Sequence, residues 1–243
     1  MLKKDFAVCI RAVDYSETSQ VITFFTKDAG KFTAIAKGSK RSKSAFDGPI
    51  ELFANGQIVF SQPHTDAMAT LTEFSRQIDF SFPGRNLFAL HCASLAAELL
   101  NSTTDDYDPH PQLFDAFLNF LAELDQSNNP LQLLIIFQLT LLKEIGLMPI
   151  FDHCSNCKTS VERRVTSDKF FFSSEANGLV CGDCETSFPD KISVSKNVVE
   201  ALYNYKNPAS KNDKTLKEIE KVLISHFAYV TGRQPRMAKY VLD

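Results

Sequence analysis

The chain has 243 residues, of which 44% are hydrophobic and 23% charged, with a formal net charge of −3. A length of this order buries a substantial core and suits two compact units better than one, and the ordinary balance of apolar and charged residues excludes wholesale disorder. No apolar run of signal-peptide length precedes Asp14, and the most apolar segment, residues 131–147, is broken by Gln132, Gln138, Lys143 and Glu144, which argues against export and against a membrane span.

The first 80 residues read as strands. Residues 6–13, 20–26, 31–37, 57–61 and 68–74 are short runs rich in β-branched and aromatic side chains, parted by turn formers at Asp28-Ala29-Gly30, Asp47-Gly48-Pro49 and Asn55-Gly56. Five strands at this spacing predict a small barrel, because closure removes the edges that a lone sheet leaves exposed. Asn55-Gly56 is the sharpest turn signal, since both residues tolerate the positive φ of a tight hairpin.

From about residue 82 the apolar period becomes helical. Leu87, Leu90, Leu95 and Leu99 form one stripe and Leu113, Phe117, Leu121 and Leu124 a second, joined by the polar residues 102–111. A third helix starts where Asn129 caps and Pro130 enters the first turn, and it ends at Gly146; being apolar on nearly all sides, it is expected at the centre of a bundle. Helices resume at residues 195–206, with Ser195 as cap, and at 214–232, where Leu216, Ile219, Leu223, Phe227 and Val230 share a face before Gly232. The expected architecture is α+β: a five-stranded barrel over residues 1–80, then a helical domain over 81–243 with a cysteine module at about 151–190.

That module carries the strongest local signal. Cys154 and Cys157 form one C-x-x-C pair and Cys181 and Cys184 a second, with 23 residues between the pairs. Each pair lets two thiolates converge from one tight turn, and two such turns complete the four-sulfur tetrahedron that zinc accepts. Residues 169–178 read as a hairpin that accommodates a spacer longer than the usual one of about 15 to 20 residues. One structural Zn2+ is therefore expected, because four thiolates leave no open position for a catalytic water. His153 could substitute as a ligand, and a redox-active dithiol is the alternative chemistry. Cys9 and Cys92 lie in apolar surroundings, so the cysteines as a set suit a reducing cytosol better than three disulfides.

Charge is segregated along the chain. Residues 1–45 hold nine Lys or Arg against four acids, whereas no Lys or Arg stands between Arg85 and Lys143, where Glu98, Asp105, Asp106, Asp108, Asp115, Glu123 and Asp125 fall. The acidic middle reads as a solvated helix face, with keeping DNA to one side or docking a basic partner as its functional alternative. Lys37, Lys40, Arg41 and Lys43 crowd into residues 36–44 together with Gly38, Ser39, Ser42 and Ser44. Repeated phosphates call for several cations on one surface, interleaved with small residues that let the backbone approach. Lys27, Lys31 and Arg11 could join them from neighbouring strands, and a solvated loop without a partner is the alternative. Phe24, Phe25, Phe32 and Phe60 are expected in the core, each being otherwise available for stacking on bases. The chain holds no Walker loop, G-x-G-x-x-G, H-E-x-x-H, G-x-S-x-G or deaminase signature, so enzymatic chemistry has no visible seat.

Glu17, Thr26, Gly30-Lys31, Lys37-Gly38, Arg41 and Ser44, then Gly146-Leu147 and the four cysteines, occur in an order that resembles the RecO family of bacterial recombination mediators over essentially the whole chain. The carboxy-terminal residues 232–243 match more loosely, and Lys158 stands where the first knuckle often has glycine. The resemblance implies an OB-fold that binds single- and double-stranded DNA, a helical domain and a zinc module. It also implies a non-catalytic, cytoplasmic and nucleoid-associated role, in which the chain anneals complementary strands and works with RecR to help RecA displace single-strand-binding protein. Lys37, Lys40, Arg41 and Lys43 are the first candidates for DNA contact, with Lys31 and Arg11 behind them. The competing classes are another zinc-ribbon factor, RNA-binding or transcription-associated, and an enzyme whose cysteines serve a metal or redox step.

Overall fold

The computed structural model describes residues 2–41, 44–46, 48–62, 68–161, 169–204 and 212–242. Its first five strands are β1 (Leu2–Asp14), β2 (Gln20–Thr26), β3 (Gly30–Ala36), β4 (Asn55–Ser61) and β5 (Ala69–Ile78). They close in the order β1-β2-β3-β5-β4, antiparallel throughout except between β3 and β5, which is the OB-fold arrangement. β1 is long enough to serve both neighbours: residues 2–8 pair with β4 and residues 7–14 with β2, across a bulge between Cys9 and Arg11. Inside sit Ile22, Phe24, Phe32, Ile58, Phe60 and Phe74, so the alternation that marked these strands in the sequence becomes the barrel core.

The Asn55-Gly56 hairpin turn is corrected by the structure. Both residues open β4 and pair with β5, and buried Asn55 donates its side-chain N–H to the Ile78 carbonyl at 3.0 Å. Gly56, at φ +155°, lies so close to the Ser75 carbonyl that any Cβ would collide with it. The glycine therefore serves close strand approach at a bulge rather than a turn.

The remaining helices are α1 (Phe82–Arg85), α2 (Leu87–Thr103), α3 (Pro111–Leu124), α4 (Pro130–Glu144), α5 (Lys196–Tyr203), α6 (Asp213–Thr231) and α7 (Ala238–Leu242). Between α4 and α5 lies a three-stranded sheet of β6 (Phe170–Ser173), β7 (Gly178–Cys181) and β8 (Ile192–Val194), in the order β7-β6-β8. The chain divides into two compact units, Met1–Leu87 with Leu100–Ser127, and Phe88–Leu99 with Asn128–Asp243. The division thus falls within α2 and groups α3 with the barrel, where Phe114 meets Phe6 and Phe25 at ring centroid distances of 5.9 Å.

In the second unit Asn129 caps α4 by accepting the Gln132 N–H at 3.2 Å, as its sequence predicts. Ser195 does not cap α5 through its side chain; its N–H and hydroxyl both donate to Glu218 at 2.6 and 2.8 Å. α4 is buried along most of its length, and Gln138 on it donates to the Oε1 of Glu220 on α6 at 2.9 Å. Glu220 is fully enclosed, and burial pushes its carboxyl up to about 7. A carboxyl raised in the fold adds stability below its unfolded value near 4.5, and that contribution is lost as pH rises through 7. Glu220→Gln keeps the shape and the acceptor without the charge. It should leave the melting temperature nearly unchanged at about pH 4 and stabilise the protein by roughly 3 kcal/mol at about pH 8. Equal effects at both pH values in thermal melts would contradict an enclosed, titrating carboxyl.

Candidate metal centre and nucleic-acid interface

Cys154 and Cys157 stand in the turn that follows Phe151, Cys181 ends β7, and Cys184 closes the next turn. Their four Sγ atoms lie within 4.8 Å of one another, and the Cys157 and Cys181 sulfurs are 3.7 Å apart. A tetrahedral ion bound by thiolates at about 2.3 Å separates its sulfurs by about 3.8 Å, so the donor set fits one metal ion.

The backbone builds both knuckles. Lys158 N–H donates to the Cys154 carbonyl at 2.9 Å, Cys181 N–H to the Cys154 Sγ at 3.4 Å, and Cys184 N–H to the Cys181 carbonyl at 3.0 Å. Lys158 takes the left-handed conformation, φ +63°, so its backbone adopts what glycine adopts most readily at that point of a knuckle. The first knuckle is stitched to the β6–β7 hairpin by Ser155 N–H to the Leu179 carbonyl and by reciprocal bonds from Ile150 to Asn177 and from Leu179 to Ile150. Gly178 permits this approach, because a Cβ there would strike the Ile150 carbonyl. Hydrogen bonding by Thr159 holds the exposed Cys157 thiol down at about 6, while burial pushes Cys181 up to about 12. A bound cation is what would let four neighbouring thiols ionise together. His153 pairs with Asp152 at 2.6 Å and stands outside the cluster.

On the barrel, β3 runs into a turn at residues 37–41 that is bound to the β1–β2 loop, residues 15–19. Lys40 N–H donates to the Thr18 carbonyl at 3.1 Å, and Gly38 N–H to the Ser19 hydroxyl at 3.2 Å. Buried Gln20 anchors the turn from below and ties it to Ile50. Its Oε1 accepts from the Ser39 hydroxyl at 3.0 Å and from Ile50 N–H at 2.9 Å, and its Nε2 donates to the Ile50 carbonyl at 3.2 Å. A lone glutamine in a strand gives no sequence signal for this role.

The turn presents Lys37 and Arg41 as exposed cations. Lys40 is half-buried and pairs with Asp14 at 2.6 Å, and Lys43 lies outside the described residues. Arg11 is exposed on β1 and heads the row Arg11, Thr23, Thr33 across three strands, with the two threonine hydroxyls 3.1 Å apart. Phe24, Phe25, Phe32 and Phe60 are fully buried, so none offers a stacking surface. Tyr15, in the loop that touches the turn, is 69% exposed and is the aromatic that the sequence reading missed. Its only signal was its place between two strands.

Lys31 serves a different purpose from phosphate contact. It is 8% exposed, and its ammonium donates to the carbonyls of Asn101 and Thr104 at 2.7 Å each, with Asp106 at 3.4 Å. It thus satisfies the orphan carbonyls and the negative end of α2. The segment it holds lies along β3: Tyr107 N–H donates to the Lys31 carbonyl at 2.7 Å, and the Tyr107 ring stacks on Phe32. Other acids of the middle segment are engaged in the same way. Asp115 pairs with Lys27 at 2.9 Å, Asp125 accepts the N–H groups that open α1, and Glu98 accepts those of Arg236 and Met237 before α7.

The sequence matches the family model described as Recombination protein O N terminal over residues 1–76, and that described as Recombination protein O C terminal over residues 84–239. The chain belongs to the RecO family. It is 33% identical over 196 residues to the DNA repair protein RecO of Rhodopirellula baltica, an alignment that covers 81% of this chain and 72% of that one. Its identity to the RecO of Bacillus subtilis is 28% over 202 residues, and to that of Listeria monocytogenes serotype 4b 27% over 201 residues; each alignment covers 83% of this chain and 76% of the relative. RecO membership supports a role in DNA repair and recombination, and the two RecO matches span the barrel and the helical part that bears the cysteines. Among the described residues no helix is long and apolar enough to cross a membrane.

Two outcomes follow from these contacts. Lys31→Met should cost about 1–3 kcal/mol of stability in denaturant titrations, by leaving buried α2 carbonyls unpaired, while moving DNA affinity less than Lys37→Ala does. The reverse ranking would restore Lys31 to the binding surface. Elemental analysis of the purified chain should find one metal ion per molecule, and Cys154→Ser should lose both the ion and several degrees of melting temperature.

Proposed function

We propose that the chain is a non-catalytic recombination mediator whose amino-terminal barrel, residues 1–80 in the sequence division, grips single- and double-stranded DNA. In this reading it anneals complementary strands and, with RecR, helps load RecA onto DNA covered by single-strand-binding protein. It works in the cytoplasm, associated with the nucleoid. Cys154, Cys157, Cys181 and Cys184 hold one structural zinc ion, the metal that a set of four thiolates favours, and the ion braces the second unit rather than performing chemistry.

The observation that carries the reading is the turn at residues 37–41 in a chain of the RecO family. Two exposed cations stand on a loop pinned from below by Gln20 and from the side by residues 15–19, a segment that begins with an exposed tyrosine. A pinned loop loses little entropy on binding, and a cation beside an aromatic suits a strand that offers both phosphates and bases. Lys37 and Arg41 carry most of the contact, because Lys40 must first leave Asp14. Arg11 and Lys43 extend the set.

Fluorescence anisotropy on labelled DNA tests this directly. If about four phosphates are neutralised, affinity for a duplex should fall roughly a hundredfold between about 50 and about 200 mM salt. Joint replacement of Lys37, Lys40, Arg41 and Lys43 by Ala should weaken binding and flatten the salt slope at unchanged circular dichroism. Identical titrations for the two proteins would defeat the assignment of the turn.

A further inference from the structure

We infer that the β6–β8 side of the outer sheet face is a second contact for single-stranded DNA, in which Phe171 stacks on one base while Lys169, Lys191 and Lys196 take the flanking phosphates. The inference rests on the chain being a DNA-binding protein and adds a site on the cysteine module, away from the thiols themselves.

The geometry begins with strand alternation. Phe170 and Phe172 turn inward and are 3% and 0% exposed, so Phe171 must turn outward, and it is only half-buried. Its cross-strand neighbours on the same face are Val180 on β7, which is fully buried, and Ser193 on β8, which is exposed, so this face is open on its β6–β8 side. A phenylalanine on the open face of a small sheet has an unsatisfied ring surface beside a hydroxyl that can donate to a base edge or a phosphate.

Cations surround this ring. A groove of about 290 Å³ runs over Phe171 and Ser193 to the start of α5, with Lys169 and Lys196 among its lining, and no acid lines it among the described residues. Lys191 places its ammonium 6.0 Å from the Phe171 ring centroid. That separation is the outer limit of a cation–π contact, so the ammonium is readily drawn to a phosphate. Lys196 meets Glu200 at 3.8 Å, an exposed i, i+4 pair of little worth that a phosphate can replace.

Three lysines around one aromatic ring, on a face with a neutral hydroxyl, match what a single strand presents: planar bases and a repeating anion. A duplex hides its base faces within the stack and would leave the ring without a partner. The sequence in isolation shows only three consecutive phenylalanines, and nothing in it says which one faces out.

The test uses the full chain and an oligothymidylate bearing 5-iodouracil. Photocross-linking should join the oligonucleotide to the peptide that contains Phe171, and Phe171→Leu should weaken single-strand affinity roughly tenfold while changing duplex affinity less. The double variant Lys169→Gln, Lys196→Gln is confined to the surface and keeps the test valid if Phe171→Leu melts early. It should lower the salt slope by about 1.4 on single strands, from about 0.7 per phosphate contact. Residual single-strand binding that survives removal of the four barrel cations and vanishes with these variants would support the site. If the native chain binds DNA and neither variant changes binding or cross-linking, the inference is overturned while the barrel reading stands. Unchanged DNA titrations with binding of an acidic peptide in the groove would reassign it to a protein partner and also overturn it. A native chain that binds no DNA would overturn both readings.

Discussion

A sheet of five short strands cannot bury a row of phenylalanines unless it closes on itself, and in this protein closure depends on β1. The strand pairs with β4 through its first residues and with β2 through its last, and it changes partner at the bulge around residue 10. Where β4 ends, Cys9 finds substitutes: its N–H donates to the Ala54 carbonyl and its carbonyl accepts from Phe53, both at 2.8 Å. Both backbone groups of Cys9 are thereby satisfied at the crossover, and Phe24, Phe32 and Phe60 are sealed within the barrel. The same bulge sends the strand on toward Asp14 and the loop at residues 15–19, which is the support of the cationic turn.

Charge in this chain is used inwardly first. The segregation of a basic front and an acidic middle reads as a statement about partners, yet much of it is consumed within the protein. Lys31 terminates α2, Lys27 meets Asp115, Asp125 receives the N–H groups at the start of α1, and Glu98 does the same before α7. Each acid that takes backbone N–H groups near a helix start satisfies donors that water would otherwise have to reach. Lys37 and Arg41 remain exposed on the turn that Gln20 anchors, and Arg11 remains exposed on β1 of the same barrel. A buried glutamine with both ends of its amide bonded is a rigid tie, since freeing either end leaves a polar group without a partner.

The cysteine module follows the same economy of construction. Two knuckles bring four sulfurs together, and the hairpin between them is bonded to the first knuckle through Ser155, Ile150 and Leu179, so the spacer is a brace. Alternation in β6 sends two phenylalanines into the core and one outward among lysines. One element thus supports both the thiol cluster and a cationic aromatic face.

The five barrel strands, the longer helices, the four-thiol cluster and the RecO resemblance were legible in the sequence, because each rests on local spacing: alternation of two, a helical period of 3.6, and cysteines three apart. The helix ends at Asn129 and Gly232 were legible for the same reason. Asn55-Gly56 misled, because the bond that decides its conformation comes from Ile78, far along the chain, and the crowding from Ser75. Lys31 misled in the same way: as a letter it matches Lys37, and only the fold brings the carbonyls of Asn101 and Thr104 to its ammonium. Local sequence determines which segments become strands, helices and knuckles, whereas the fate of each cation and aromatic depends on contacts between distant residues. Burial and hydrogen bonding then divide chemically alike side chains into those that hold the fold and those that face a partner.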